Sequence, residues 1–330
     1  MPTRRNFILG CTASLVCAGT SAMRNAFAQV IAKPARLVVG FPPGGVPDVV
    51  ARHMAERLRG TYAPAIIVEN KPGAGGRIGV EALKNAEPDG SAILVTVNPM
   101  ITIYPHVYPK LSYDPLRDIV PVTTLGSFPL LLVAGPGLPA EITTVAALVQ
   151  WAKKHPDQAS YGSSAAGSTQ HFVGSMFAQA AGIKLTHVAY KGGAIAVQNL
   201  LGGQLPMAVV TPSTSIAHIR AGRLRAFATS GPNRSALLPD VPTFKEAGYA
   251  DLVVEDWVGM FVPARTSAEI IAKLNGVVRE ALKSGETREA FAKLMIDPGG
   301  ESPEECAKRV IAEHGMWGPI VKASGFVGDD

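Results

Sequence analysis

Nine short apolar runs, separated by stretches of helical pattern, constrain the fold of this chain more than any other feature. They occupy residues 36–41, 65–69, 92–97, 130–134, 159–162, 185–190, 207–211, 224–229 and 259–262. Many are unbroken series of Val, Ile and Leu, the pattern of strands buried on both faces of a parallel sheet. Between them, Val50, Met54 and Leu58 recur at a spacing of four after Pro47 and Asp48, which marks a helix start. Thr144 opens a second periodic run that reaches Trp151. The C-terminal quarter is mainly helical, and both Thr266-Ser267-Ala268-Glu269 and Ser302-Pro303-Glu304-Glu305 read as capping boxes. A chain of 330 residues is long enough for two domains. Strand–helix alternation with two probable sheets predicts an α/β architecture. If the extended stretches 127–135 and 256–263 are neighbouring crossovers, one lobe comprises residues 33–130 plus 257–330. The other then comprises 131–256.

Composition narrows the function. Apolar residues make up 47% of the chain, enough for a sizeable core. The formal charge of +5 owes three units to Arg4, Arg5 and Arg24. Without these, 28 basic and 26 acidic side chains remain, a net of +2, which argues against a nucleic-acid surface. Those arginines lie in residues 1–28, which read as an export signal. Thr3-Arg4-Arg5-Asn6-Phe7-Ile8-Leu9 matches a twin-arginine motif, an apolar stretch runs on to about Ala22, and Ala26-Phe27-Ala28 forms an A-x-A cleavage site. A membrane anchor is the alternative, disfavoured by a short stretch broken at Gly10, Thr12, Ser14 and Gly19. Lipid attachment at Cys11 or Cys17 is disfavoured too, because the first lacks an apolar lead and the second follows Val16. Export to the periplasm then leaves Cys306 as the one cysteine, with no internal disulfide and no cysteine-based metal site.

Four glycine-rich junctions between a strand and a helix are the informative motifs. They are Phe41-Pro42-Pro43-Gly44-Gly45-Val46-Pro47-Asp48, Asn70-Lys71-Pro72-Gly73-Ala74-Gly75-Gly76-Arg77, Ser163-Ser164-Ala165-Ala166-Gly167-Ser168-Thr169 and Tyr190-Lys191-Gly192-Gly193-Ala194. A helix start presents unpaired N–H groups and a partial positive charge, and glycine lets backbone approach a guest closely. Such starts hold anions without a cationic side chain. One helix dipole contributes only about 0.3–1 kcal/mol at an exposed site, against about 8 kcal/mol for a micromolar ligand. Several junctions must therefore act together. The bland reading of each one alone is an ordinary tight turn. Neither the dinucleotide G-x-G-x-x-G spacing nor a G-x-x-x-x-G-K-S/T phosphate loop is present.

These residues carry a family likeness. The ordered series runs from Val39-Gly40-Phe41-Pro42-Pro43-Gly44-Gly45, with Asp48 and Ala51-Arg52, to Glu69-Asn70-Lys71-Pro72-Gly73-Ala74-Gly75-Gly76. It continues through Tyr161-Gly162-Ser163, His187-Val188-Ala189-Tyr190-Lys191-Gly192, Gly202-Gly203-Gln204 and Leu238-Pro239-Asp240-Val241-Pro242-Thr243 to Glu246-Ala247-Gly248. Across residues 33–325 the chain resembles the tripartite tricarboxylate transporter receptors, the Bug or TctC-like periplasmic binding proteins. The resemblance implies a two-lobe Venus-flytrap fold, and a small carboxylate held by backbone amides and ordered water. It also implies partnership with membrane permease subunits, with no cofactor. By position, the ligand contacts it implies are Phe41, Gly44, Gly45, Val46, Pro47, Asp48 and Asn98 in the first lobe. Those in the second are Ser163, Ser164, Ser168, Thr169, Lys191, Gly192, Gly193 and Ala194. The chain departs from the family at Asn199, where Asp is frequent, and at Leu205-Pro206.

Single residues keep two readings. Asp48 suits a ligand amino group or its own helix start, and Lys191 suits a second ligand carboxylate or solvent. Ser168 and Thr169 suit the ligand or a helix cap, and the two roles coexist. Arg77 is a surface residue on this reading. Asp114, Asp118, Asp251, Glu255 and Asp256 are scattered in turn-like segments and form no carboxylate pair. The seven histidines show no metal-binding spacing. An uptake receptor working as a monomer is the function expected. An exported hydrolase of a small ester or amide is the alternative; it lacks a G-x-S-x-G elbow and a recognisable base. A ligand-loaded sensory adaptor is a third reading, indistinguishable by sequence from transport.

Overall fold

The computed structural model describes residues 30–328 of the chain. The export signal expected at 1–28 lies outside the described residues. The first lobe opens with β1 (Ala35–Val39), α1 (Val46–Leu58), β2 (Ile66–Asn70), α2 (Arg77–Lys84) and β3 (Ala92–Val97). Two single-turn helices, α3 (Pro99–Thr102) and α4 (Tyr104–Val107), lead to the long strand β4 (Ile119–Pro129). The chain then enters a second sheet. Its path is β5 (Leu131–Ala134), α5 (Val145–Lys154), β6 (Ser160–Ser163), α6 (Thr169–Ala181), β7 (Thr186–Ala189), α7 (Gly193–Leu201), β8 (Met207–Val210), α8 (Pro212–Arg220) and β9 (Arg225–Thr229). It returns through β10 (Glu255–Pro263) and ends with α9 (Ala268–Lys283), α10 (Gly285–Ala292), β11 (Asp297–Pro298) and α11 (Pro303–Ser324).

The result is a two-lobe α/β fold. One six-stranded sheet has the order β11-β4-β10-β3-β1-β2, and one five-stranded sheet has the order β7-β6-β8-β5-β9. All nine apolar runs are strands, within a residue or two at most ends. The all-parallel expectation fails, however. β10 runs antiparallel to both β3 and β4, and β5 runs antiparallel to both β8 and β9. Helices cover both faces of each sheet and bury a strand whichever way it points, so an apolar run carries no record of direction. The paired β4 and β10 hold the crossover, with Glu255 opposite Pro129.

Helix starts follow local chemistry. Thr144 caps α5 through the amide of Ala147, and Ser302 with Glu305 forms a complete capping box on α11. The other expected box is displaced by one residue. Ser267, not Thr266, caps α9 by accepting from the Ile270 amide, so Glu269 does not reach the reciprocal position. The lobes also meet through side chains: Phe172 of α6 packs against Trp317 of α11, with ring centroids 5.9 Å apart. Cys306 is buried on α11. Among the described residues no helix is long and apolar enough to cross a membrane.

Candidate functional site

Three of the four glycine-rich junctions meet at one cleft of about 100 Å³ between the lobes. α1 starts from Gly45, α7 from Gly192 and α8 from Thr211, and none of these starts is capped by a side chain. α6 starts from Ser168, whose Oγ accepts from the His171 amide. Gly192 has φ 120° and ψ 152°, a region open essentially to glycine. A Cβ placed there would stand 3.9 Å from the Pro42 ring, which measures how closely the two lobes approach at the cleft mouth. The second junction does not reach this cleft. Its residues Pro72–Arg77 line a neighbouring depression of about 580 Å³ that shares Phe41, Pro42, Lys191 and Gly192 with the cleft. There Arg77 lies 3.9 Å from the centroid of the Tyr108 ring.

Ten of the fifteen residues expected at the ligand line the cleft. They are Phe41, Gly45, Val46 and Pro47 from the first lobe, and Ser164, Ser168, Lys191, Gly192, Gly193 and Ala194 from the second. Asp48, Asn98, Ser163 and Thr169 are buried and lie off this lining, and Gly44 is exposed outside it. Asp48 is 2% exposed and fully engaged by protein. It accepts from the Gly44 amide at 2.9 Å, from Arg52 at 2.9 and 3.0 Å, and from Asn70 Nδ2 at 2.9 Å. Burial pushes the Asp48 carboxyl up, but the bonds from Arg52, Gly44 and Asn70 outweigh it and hold the group below its ordinary value. Its work is to fold the 41–48 loop onto the start of α1. Asn98 Oδ1 accepts from the Trp257 amide at 3.3 Å, tying β3 to β10 behind the cleft. The departure at Asn199 also lies off the cleft, where its side chain donates to the Ile195 carbonyl of its own helix.

The cleft contains residues that sequence reasoning passed over. Pro43, Val97, Pro99, Met100 and Ile195 supply apolar wall, and Gln170, Thr211 and Thr214 supply polar groups. Thr211-Pro212 does carry a legible signal, a helix start directly after a strand. Asp256 carries none. It sits within β10 rather than in a turn, is 2% exposed, and is the one acidic residue among the described residues that line the cleft.

A family model described as "Tripartite tricarboxylate transporter family receptor" matches residues 50–326. The chain belongs to this receptor family. It is 33% identical over 295 residues to Protein BugT of Bordetella pertussis, covering 89% of this chain and 90% of the relative. Among solved structures it resembles R. palustris Rpa4515 with adipate, at a TM-score of 0.85 and 30% identity over 89% of this chain and 98% of that one. It also resembles MatC from Rhodopseudomonas palustris with bound malate, at a TM-score of 0.79 and 28% identity over 88% of this chain and 99% of that one.

The receptor holds one arrangement that resembles a nucleophile and its base. Ser163 Oγ lies 2.7 Å from His187 Nε2, a partner the sequence did not reveal. Ser163 also donates to the Ala165 carbonyl at 2.9 Å. A carbonyl only accepts, and the hydroxyl has one proton, so His187 Nε2 is the donor in the first bond. A histidine that donates to the serine is not its general base. Ser163 is fully buried and does not line the cleft. The pair therefore pins β6 to β7 rather than attacking a guest. Among the described residues, no cluster of His, Cys, Asp and Glu is placed to hold a metal ion.

Proposed function

We propose that the receptor captures a small carboxylate in this cleft and delivers it, as a periplasmic monomer, to the membrane permease subunits of a tripartite transporter. The observation that carries this reading is the convergence of helix starts. α1 from one lobe, and α6, α7 and α8 from the other, begin at the same cleft. Their amides form an anion site that no single helix supplies. The names of two similar structures, with adipate and malate, support a carboxylate guest. On this reading Gly45, Val46, Ser164, Ser168, Lys191, Gly192, Gly193 and Ala194 touch the guest. Gly44, Asp48, Asn98, Ser163 and Thr169 hold the loops that present them. Residues 33–130 plus 257–330 and residues 131–256 then close as two bodies around it.

The test is a thermal-shift screen of the purified protein against mono-, di- and tricarboxylates, amino acids and aromatic acids. A guest bound at 100 times its Kd stabilises the fold by about 2.7 kcal/mol, which a melting curve resolves. Gly45→Val is the matched variant. Gly45 has φ −77° and ψ 166°, and a Cβ there meets nothing nearer than 3.8 Å, so the fold accepts valine. The branched side chain crowds the start of α1 and abolishes the shift. If no acid moves the melt, or if the guest is recovered chemically altered, the receptor reading is wrong.

A further inference from the structure

The geometry points to a second anion subsite at Arg77, in the depression beside the cleft, that holds the far carboxylate of an elongated diacid. The inference rests on the receptor reading above and narrows its substrate class to diacids whose chain spans both spaces.

The first observation is continuity. The cleft of about 100 Å³ and the depression of about 580 Å³ share Phe41 and Pro42 from the first lobe, and Ser164, Lys191, Gly192 and Ile195 from the second. One water occupies about 10–15 Å³ on this scale. The cleft by itself therefore holds a short acid, and the depression offers several times its room. Phe41, Pro42 and Ile195 give the passage between the two an apolar wall, which suits the methylenes of a longer chain.

The second observation is charge. Among the described residues, Arg77 and Lys191 are the charged residues that line the depression, and no acid joins them. Lys191 stands at the boundary and lines both spaces, whereas Arg77 lines the depression alone. Neither makes an ion pair among the described residues. Arg77 Nε donates to the Ala74 carbonyl at 3.0 Å, and the guanidinium carbon rests 3.9 Å from the centroid of the Tyr108 ring. These two contacts fix the head group and leave its Nη donors without a protein acceptor among the described residues. Such donors form a planar fork that matches a carboxylate. The loop that carries Arg77 is fixed as well. The Tyr104 hydroxyl donates to the Gly75 carbonyl at 2.9 Å, and a Cβ on Gly76 would stand 2.9 Å from the Phe41 ring. A head group already held in place gives up less freedom when a guest arrives.

The experiment is calorimetric titration of the purified protein with two series matched in length: the diacids succinate, adipate, suberate and sebacate, and the monoacids butyrate, hexanoate, octanoate and decanoate. A longer chain buries more methylene in either series, so the ratio of diacid to monoacid affinity at one length is what reads the subsite. In wild-type protein that ratio is expected to rise by about fivefold from the shortest pair to the best longer pair, the advantage a part-exposed ion pair supports. Arg77→Met weakens the longer diacid by about fivefold and leaves succinate and the monoacids within about twofold, which also shows that the variant is folded. Arg77→Lys retains part of the advantage, because the charge stays and the fork is lost. A wild-type ratio that does not rise with length, or an Arg77→Met protein that keeps the rise, overturns the subsite while leaving the receptor reading intact. An Arg77→Met protein that loses every acid alike overturns it too, since Arg77 would then shape the loop rather than meet the guest. If no acid of either series binds, the subsite and the receptor reading fall together.

Discussion

His171 lies flat on His187, with ring centroids 3.8 Å apart and planes 13° from parallel. Burial pushes His171 down to about 4, and burial with the neighbouring His171 pushes His187 down to about 3. Both rings are therefore neutral in the folded protein near neutral pH. His171 Nδ1 in fact accepts from the Gly167 amide at 3.2 Å, a bond that only an unprotonated nitrogen makes.

The stability these rings contribute is complete above the unfolded value of about 6.5. Below it the unfolded chain takes up protons that the folded chain refuses, so stability falls as pH drops from about 6.5 toward 4. Each histidine adds up to about 1.4 kcal/mol per pH unit to that slope. Urea midpoints measured between pH 7 and 4.5 check this. A protein with His171→Phe and His187→Phe should show a flatter fall over this window. An unchanged slope would show that other groups govern the acid response.

The turn at Gly192 predicts a sharp contrast between neighbours. At φ 120° an alanine is strained whatever the space, so Gly192→Ala should cost about 1–3 kcal/mol and displace the amides at the start of α7. Gly193 has no such φ, and a Cβ there meets Thr214 Cγ2 at 3.4 Å, an ordinary contact. Gly193→Ala should therefore stay within about 0.5 kcal/mol of wild type. Chemical denaturation of both variants measures the difference. Equal stabilities would mean that the turn relaxes freely.

Lys191 lines the cleft and makes no ion pair among the described residues. On the proposed function its ammonium meets a second carboxylate while helix starts hold the first. Lys191→Met should weaken a dicarboxylate by about tenfold and leave a monocarboxylate of the same length nearly unchanged. Raising the salt concentration should shrink the wild-type advantage. Titrations of both acids at two ionic strengths decide the matter; equal losses for both would mean that Lys191 acts only as wall.

The amino-acid sequence by itself determined many of the elements of this protein, because an element is a local matter, but it left out β4 and β11. Val, Ile and Leu runs at 35–39, 92–97 and 207–210 are buried wherever the strand is placed, and Ser168 or Ser302 caps a helix with groups three residues away. The glycine-rich junctions were legible for the same reason, since each is a turn with its own chemistry. Only the tertiary structure decided which junctions share a cleft, that β10 returns antiparallel beside β3 and β4, and that Asp256 is buried at the cleft. Those facts depend on pairings such as Asn98 with the amide of Trp257, 159 positions away in the chain. No local pattern encodes such a pairing, because it is selected by the packing free energy of the whole fold.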